Sequence, residues 1–287
     1  MAWQQISINV PHEFVEPISY VFERYGHGVG IQSLGPDTAA ITTFLPTESQ
    51  SRMARIEIGV NLAKSIAPLG DLNITLLDSD TDWRNAWKQH FSVLKITDSI
   101  IIKPSWLDYE PKSSDIVIEL DPGFAFGTGY HPTTHSCLIL LEKYLTEHSS
   151  VLDFGTGSGI LSIAAAKLAS SQISAIDIDP MCIKSAKKNS SRCGTTELIN
   201  FYTGTLPHKN IHNSEYDYVV ANISARIGIE KSSEMLDALK SGGILILSGI
   251  INNQAIETKK HFQTKSQIVE EYWKEDWVTF VIKKFNE

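Results

Sequence analysis

The chain has 287 residues, more than one average domain, and its 42% hydrophobic and 20% charged residues are ordinary globular composition with enough apolar surface for a real core. A formal net charge of −8 disfavours direct nucleic-acid binding, which usually goes with a basic chain, and suits a basic protein partner. Cys137, Cys182 and Cys193 form no CxxC pair and read as reduced thiols of a cytoplasmic protein, and with no secretory leader pattern and no long apolar run neither secretion nor membrane insertion is expected.

The first 80 residues predict short strands and helices in alternation. Trp3–Val10 alternates as a strand that Pro11 ends, and Glu13–Tyr25 is an amphipathic helix with Phe14, Ile18, Val21 and Phe22 on one face. Strands follow at Val29–Leu34 and Thr38–Leu45, either side of the turn Gly35-Pro36-Asp37. A helix at Gln50–Ile66 and a strand at Asn73–Leu77 complete the order βαββαβ, which suggests a small α+β ferredoxin-like domain over residues 1–80. Residues 81–110 read as a linker. In it Trp83, Trp87 and Phe91 recur every four residues and share one helix face as a packing stripe. Strands at Ser99–Lys103 and Ile116–Leu120 bracket Trp106, and a third segment is taken as 111–287.

From Pro132 the pattern becomes α/β. Pro132 suits the first position of a helix running to about Leu145, and His131 precedes it as a cap. His131 and His135 stand four apart, but no Glu follows His131 and no third ligand is evident, so no metal is expected. Val151–Phe154 is a strand leading into Gly155-Thr156-Gly157-Ser158-Gly159, and residues 159–169 are a helix. The third glycine comes one residue earlier than in the dinucleotide fingerprint, and Ile160 stands where that motif wants Gly. A second strand, Ile173–Asp177, ends in an acid 22 positions after Gly155, about where such folds hold a ribose hydroxyl. Asp179-Pro180 reads as an N-cap and first helical residue, which leaves Asp177 for a ligand. The segment is therefore read as a nucleoside-cofactor binder.

A helix at 180–193, strands near Leu198–Tyr202 and Tyr216–Ala221, a helix at 229–240 and a buried strand at Ile244–Leu247 follow. Gln267–Trp273 and Trp277–Phe285 are separated only by Lys274-Glu275-Asp276. Three residues cannot make a parallel crossover, so these strands pair antiparallel. A mostly parallel sheet closed by such a hairpin is the layout of seven-stranded, Rossmann-like methyltransferases that use S-adenosylmethionine (AdoMet). Together with Ile160 it disfavours the rival reading, an NAD-dependent oxidoreductase.

The segment Asp121-Pro122-Gly123-Phe124-Ala125-Phe126-Gly127-Thr128-Gly129-Tyr130-His131-Pro132-Thr133-Thr134 resembles the signature that precedes the methyltransferase core in the PrmA family. The Trp83/Trp87 helix, Asp153–Gly159, Ile176–Pro180, Val219–Ile223 and Leu245–Ile250 are similar to the same family in order, so the resemblance spans nearly the whole chain. It implies a cytoplasmic AdoMet-dependent protein-lysine N-methyltransferase. The methyl groups would go to lysine side-chain amines and an α-amino group of a basic large-subunit ribosomal protein, protein eleven, recognised by the N-terminal domain. Thr134, Gly155, Asp177 and Asn222 fall at the family's AdoMet-binding positions, and Asp153, Gly157, Phe126 and Gly127 are expected beside them.

Asn222, at a strand's carboxyl end, offers an amide oxygen to the acceptor amine and is the expected catalytic residue; Phe124, Phe126 and Tyr130 are expected to wall its pocket. Tyr130 replaces the family's usual Thr, Thr156 a common Cys, and Ser224-Ala225-Arg226 a Leu- and Gly-rich stretch. Within the fold the rival is a lysine methyltransferase for another protein, outside catalysis a module that only binds AdoMet. A monomer is expected.

Overall fold

The computed structural model describes residues 3–35, 37–77, 92–120, 129–169 and 172–286. The expected Trp83/Trp87 helix and the positions Phe124, Phe126 and Gly127 lie outside them. The chain divides into two compact units. One holds the described residues up to Leu94 and Lys103–Tyr109; the other holds Lys95–Ile102, Glu110–Leu120 and the described chain from Gly129 on.

In the first unit β1 (Trp3–Pro11), β2 (Val29–Ser33), β3 (Thr38–Pro46) and β4 (Asn73–Leu77) form one sheet in the order β2-β3-β1-β4, antiparallel at each pairing. With α1 (Val15–Tyr25) and α2 (Gln50–Lys64) between them, this is the ferredoxin-like arrangement. Period-two alternation drives it: Ile6, Ile8 and Val10 of β1 are buried, and Ile8 lies opposite Ile41 of β3. α1 starts two residues later than expected, because His12–Phe14 after Pro11 form a 3-10 turn. Phe14 therefore precedes the helix, and Val15, Ile18 and Phe22 carry its buried face. The helices pack closely because Gly59 of α2 meets Val21 of α1, where a Cβ would stand 2.8 Å from Val21 Cγ1.

A three-stranded sheet follows, β5 (Leu94–Lys95), β6 (Ile100–Lys103) and β7 (Ile116–Glu119). The second unit then alternates: α3 (Pro132–Tyr144), β8 (Val151–Phe154), α4 (Ile160–Ala169), β9 (Ile173–Asp177), α5 (Pro180–Arg192), β10 (Ile199–Thr203) and β11 (Tyr216–Asn222). It continues with α6 (Ala225–Glu230), α7 (Ser232–Ala238), β12 (Leu239–Ile251), α8 (Ala255–Lys260), β13 (Ser266–Lys274) and β14 (Trp277–Lys284).

The large sheet has the order β10-β9-β8-β11-β12-β14-β13. Its first five strands are parallel, and β14 enters antiparallel between β12 and β13, as the short Lys274–Asp276 connection requires. This is a Rossmann-like methyltransferase sheet. Its central strands are apolar on both faces, as a covered parallel sheet demands; Leu152, Val219, Leu245, Leu247 and Phe280 are fully buried in one core. Strand order reverses between β8 and β11, and ligands in such sheets bind at the carboxyl ends beside that reversal.

One stretch departs from expectation. Instead of a helix over 229–240, two short helices meet at Lys231, and β12 already begins at Leu239. The Gly pair does not end a helix; it sits inside the strand. Gly242 adopts φ +73°, and the pairing with β11 skips from Tyr216 opposite Leu239 to Tyr218 opposite Ile244. Long-range partners hold the early start: Lys284 Nζ donates to Leu239 O at 2.8 Å and Lys240 pairs with Asp217 at 2.8 Å. Among the described residues no helix is long and apolar enough to cross a membrane.

Candidate functional site

The turn after β8 depends on glycine for two separate reasons. Gly155 has φ +80°, a conformation L side chains rarely adopt, and a Cβ there would stand 2.7 Å from Ile223 Cγ2 at the end of β11. The backbone N–H groups of Gly155 and Thr156 donate to Ile176 O at 2.9 and 3.1 Å, which locks the turn onto β9. Gly157 N–H donates to Asp177 Oδ2 at 2.9 Å, and Asp179 N–H donates to Asp177 Oδ1 at 2.9 Å. The Asp177 carboxylate is thus aimed before any ligand arrives and keeps lone pairs for one. Asp179 caps α5 by accepting from Met181 N–H at 2.8 Å, the division of labour expected between the two acids.

Asp153 stands behind the loop, fully buried. Its Oδ2 accepts from Thr156 Oγ1 at 2.7 Å, Ser162 Oγ at 2.5 Å and Ser162 N–H at 3.1 Å, while Oδ1 has no partner among the described residues. Burial, reinforced by the charge of Asp177, pushes its carboxyl up to about 6 against the hydrogen bonds that favour the anion.

At the end of β11, Asn222 Nδ2 donates to Thr134 Oγ1 at 3.1 Å. Thr134 is itself buried in the first turn of α3. That turn is fixed by His131, whose Nδ1 accepts from Thr133 N–H at 3.3 Å and whose ring meets Trp277 edge-on at 4.9 Å. His131 is therefore a cap. With its nitrogen engaged, the Asn222 amide presents Oδ1 as its remaining acceptor. Sequence reasoning missed the support beneath it. Ile223 N–H donates to Ser248 O at 3.2 Å, and Gly249 (φ +82°) comes so close that a Cβ would lie 2.1 Å from Ile223 O. The Leu245–Ile250 motif contained both residues; only the pairing of β11 with β12 shows what they do.

Together these ends enclose a cleft of about 510 Å³. Gly155, Gly157, Asp177 and Asn222 line it, whereas Thr134 and Asp153 stand behind those residues. Ile178, Cys182, Thr205 and Ile227 also line it and were not anticipated. Ile178 had a signal, an apolar residue between two acids, and it is 76% exposed in the cleft mouth. Burial and the nearby Asp177 and Asp179 push the Cys182 thiol up to about 11, so it is a neutral wall and not a nucleophile.

A family model described as Ribosomal protein L11 methyltransferase (PrmA) matches residues 2–285. The chain belongs to the PrmA family. A Herpetosiphon aurantiacus relative named Ribosomal protein L11 methyltransferase is 35% identical, covering 99% of both chains. A Listeria monocytogenes relative of the same name is also 35% identical over 99% of each. The solved ribosomal protein L11 methylase of Lactobacillus delbrueckii subsp. bulgaricus superposes with a TM-score of 0.64 at 30% identity, covering 68% of this chain and all (100%) of that one. As a PrmA-family member the chain is an AdoMet-dependent protein methyltransferase. Its cleft fits that cofactor: the bare Gly155 backbone leaves room for close approach, the Asp177 carboxylate lines the cleft with acceptor capacity to spare, and the buried Asp153 behind the loop, with one unmatched oxygen, adds negative charge that suits a cationic ligand.

Proposed function

We propose that this chain methylates lysine side-chain amines and an α-amino group of ribosomal protein L11, with Asn222 orienting each acceptor. The observation that supports this reading is the Asn222–Thr134 hydrogen bond of 3.1 Å, which engages the amide nitrogen and leaves Oδ1 as the acceptor of a side chain that lines the cleft. Asp177 would hold the cofactor's ribose hydroxyls, Gly155 and Gly157 would admit its backbone contact, and Asp153 would complement its positive charge from behind the loop. The cofactor supplies an electrophilic methyl carbon on a positively charged sulfur.

The chain's own task is to present a neutral lone pair in line with that carbon. A lysine amine, with a pKa near 10.4, is mostly charged at neutral pH, so the site must favour its neutral form. The apolar walls at Ile223 and Ile227 disfavour the charged amine by desolvation. Asn222 Oδ1 accepts one amine hydrogen, which fixes the lone pair's direction without adding a charge that would hold the proton.

The first unit is assigned to docking the protein substrate, supported by its being a separate compact body with its own sheet. A ribosomal substrate places the enzyme in the cytoplasm. Incubating the chain with labelled AdoMet and total ribosomal proteins, then locating label by mass spectrometry, tests the reading. Label on amines of protein L11 is the expected result. Label confined to another protein would reassign the substrate, and none on any protein would leave only cofactor binding.

A further inference from the structure

The chain's overall acidity conceals a local exception. Its sequence holds six arginines, and three of them, Arg24, Arg52 and Arg55, gather on the first unit where α1 ends and α2 begins. The Arg24 guanidinium lies 5.9 Å from the Tyr20 ring centroid and 5.6 Å from that of Tyr25, and its Nη1 donates to Tyr20 Oη at 3.0 Å. Arg55 comes from the other helix to within 5.6 Å of the same Tyr25 ring. Arg52, one turn earlier, places Nη1 2.9 Å from His27 Nε2. Burial and then the charge of Arg52 hold His27 below the usual imidazole range, so it meets that guanidinium as a neutral acceptor.

None of the three guanidiniums forms an ion pair among the described residues. Glu23, beside Arg24 in sequence, is pushed up to about 7 by burial and offsets little of the charge. The first turn of α2 carries no acid, although a helix start favours one. Three planar cations, preset by aromatic rings and short of counter-charge, therefore form one exposed ribbon in a protein of net charge −8.

We propose that this ribbon docks single-stranded RNA. Guanidinium forks match phosphate oxygens two at a time, and rings and guanidinium planes stack unpaired bases. Tyr20, 56% exposed, offers such a ring. A duplex has no free base faces to give it, and a basic protein would be repelled from this ribbon, so the proposed docking of the ribosomal protein uses another face of the first unit. The choice of RNA over DNA rests on the proposed ribosomal substrate, whose working partner is RNA. The site would hold the enzyme near the place where its substrate assembles.

The test is fluorescence anisotropy of the full chain with a labelled, unstructured oligoadenylate of about 12 nucleotides, roughly the span single-strand sites cover, at several salt concentrations. Arg24→Ala/Arg52→Ala/Arg55→Ala should weaken binding at least about 10-fold and lower the slope of log affinity against log salt by about 2, near 0.7 per lost phosphate contact. Tyr20→Ala should weaken binding and leave the slope unchanged. Circular dichroism melting of the full chain, read in the same samples, reports whether the first unit, which carries the ribbon, is still folded. If the alanine variant misfolds, Arg24→Lys/Arg52→Lys/Arg55→Lys decides: it should keep the slope and lose affinity, and unchanged affinity refutes the stacking role. No binding by the natural chain, or equal binding by a folded alanine variant, overturns the proposal. A polyglutamate peptide of equal length that binds as tightly through the same arginines would reassign the ribbon to an acidic protein segment. Methylation is not read in this assay, so its failure leaves the substrate assignment standing.

Discussion

Replacing Asn222 separates orientation of the acceptor from capture of the cofactor. In the folded chain its side chain makes one neutral hydrogen bond, Nδ2 to Thr134 Oγ1 at 3.1 Å, and lines the cleft. Losing one neutral hydrogen bond costs about 0.5–1.5 kcal/mol, so Asn222→Ala should weaken AdoMet binding by only about 2- to 12-fold at 1.4 kcal/mol per decade. Misorientation at the reacting centre costs about 100-fold, so the single-turnover rate should fall by that factor or more. Asn222→Asp is the sharper probe. The Thr134 hydroxyl can turn to donate to the new carboxylate, so the shape is kept while a charge is added. That charge holds the acceptor amine as an ammonium with no lone pair, so the variant should be inactive near neutral pH and recover partly as pH rises. Titration calorimetry gives the affinity and rapid-quench single turnover gives the rate. If both variants transfer methyl at the natural rate, Asn222 is only a strand-end turn residue and the acceptor is oriented elsewhere.

Asp177→Ala removes an acceptor already aimed by two backbone N–H groups. Charge-assisted bonds of about 1.5–3 kcal/mol predict a loss of AdoMet affinity of about 12- to 140-fold by calorimetry. Unchanged affinity would remove Asp177 from the site. The Asp153 carboxyl is raised from 3.8 to about 6 in the folded chain, so the fold binds the extra proton and its stability falls as pH climbs from about 4 through about 6. Asp153→Asn cannot ionise. Its melting temperature should rise relative to the natural chain across that window, reaching about 3 kcal/mol of relative stability by pH 7 at 1.36 per unit, and a flat difference would refute this. A chain beginning at Val93 should still bind AdoMet but lose methylation of the intact ribosomal protein at low substrate concentration, because the docking energy is gone. Full activity in a folded fragment would strip the first unit of its proposed role.

What the sequence made legible was what local chemistry dictates. The Gly155–Gly159 turn, the capping Asp179 and the three-residue Lys274–Asp276 link leave few backbone solutions, and each appears as expected. Misread stretches were settled by distant contacts. Residues 232–238 end as a helix and 239 begins a strand because Leu239 pairs with Tyr216 and is bonded by Lys284, contacts no window around the Gly pair can reveal. The support of Asn222 was hidden for the same reason. Its partner Thr134 lies 88 residues away, and Ser248 reaches Thr133 O across 115. In α2, apolar residues occur on opposite faces, with Ile56 and Val60 buried and Ile58 and Leu62 exposed, so apolar count alone could not say which side was buried.

The placement of β14 bears on when the enzyme becomes competent during its own synthesis. This strand leaves the ribosome last of the seven, yet it slides between β12 and β13 and touches the site's foundations twice. Its Thr279 hydroxyl bonds Ser248 at 2.7 Å, and its Trp277 braces the His131 cap of the helix that holds Thr134. A nascent chain stopped short of Trp277 already carries every cleft residue named above, but β12 is then an open edge and the cap has lost its brace. Cofactor capture and transfer would thus wait until β14 has been made and inserted, and a product broken off before Trp277 would be methyl-silent without lacking a single residue of the cleft.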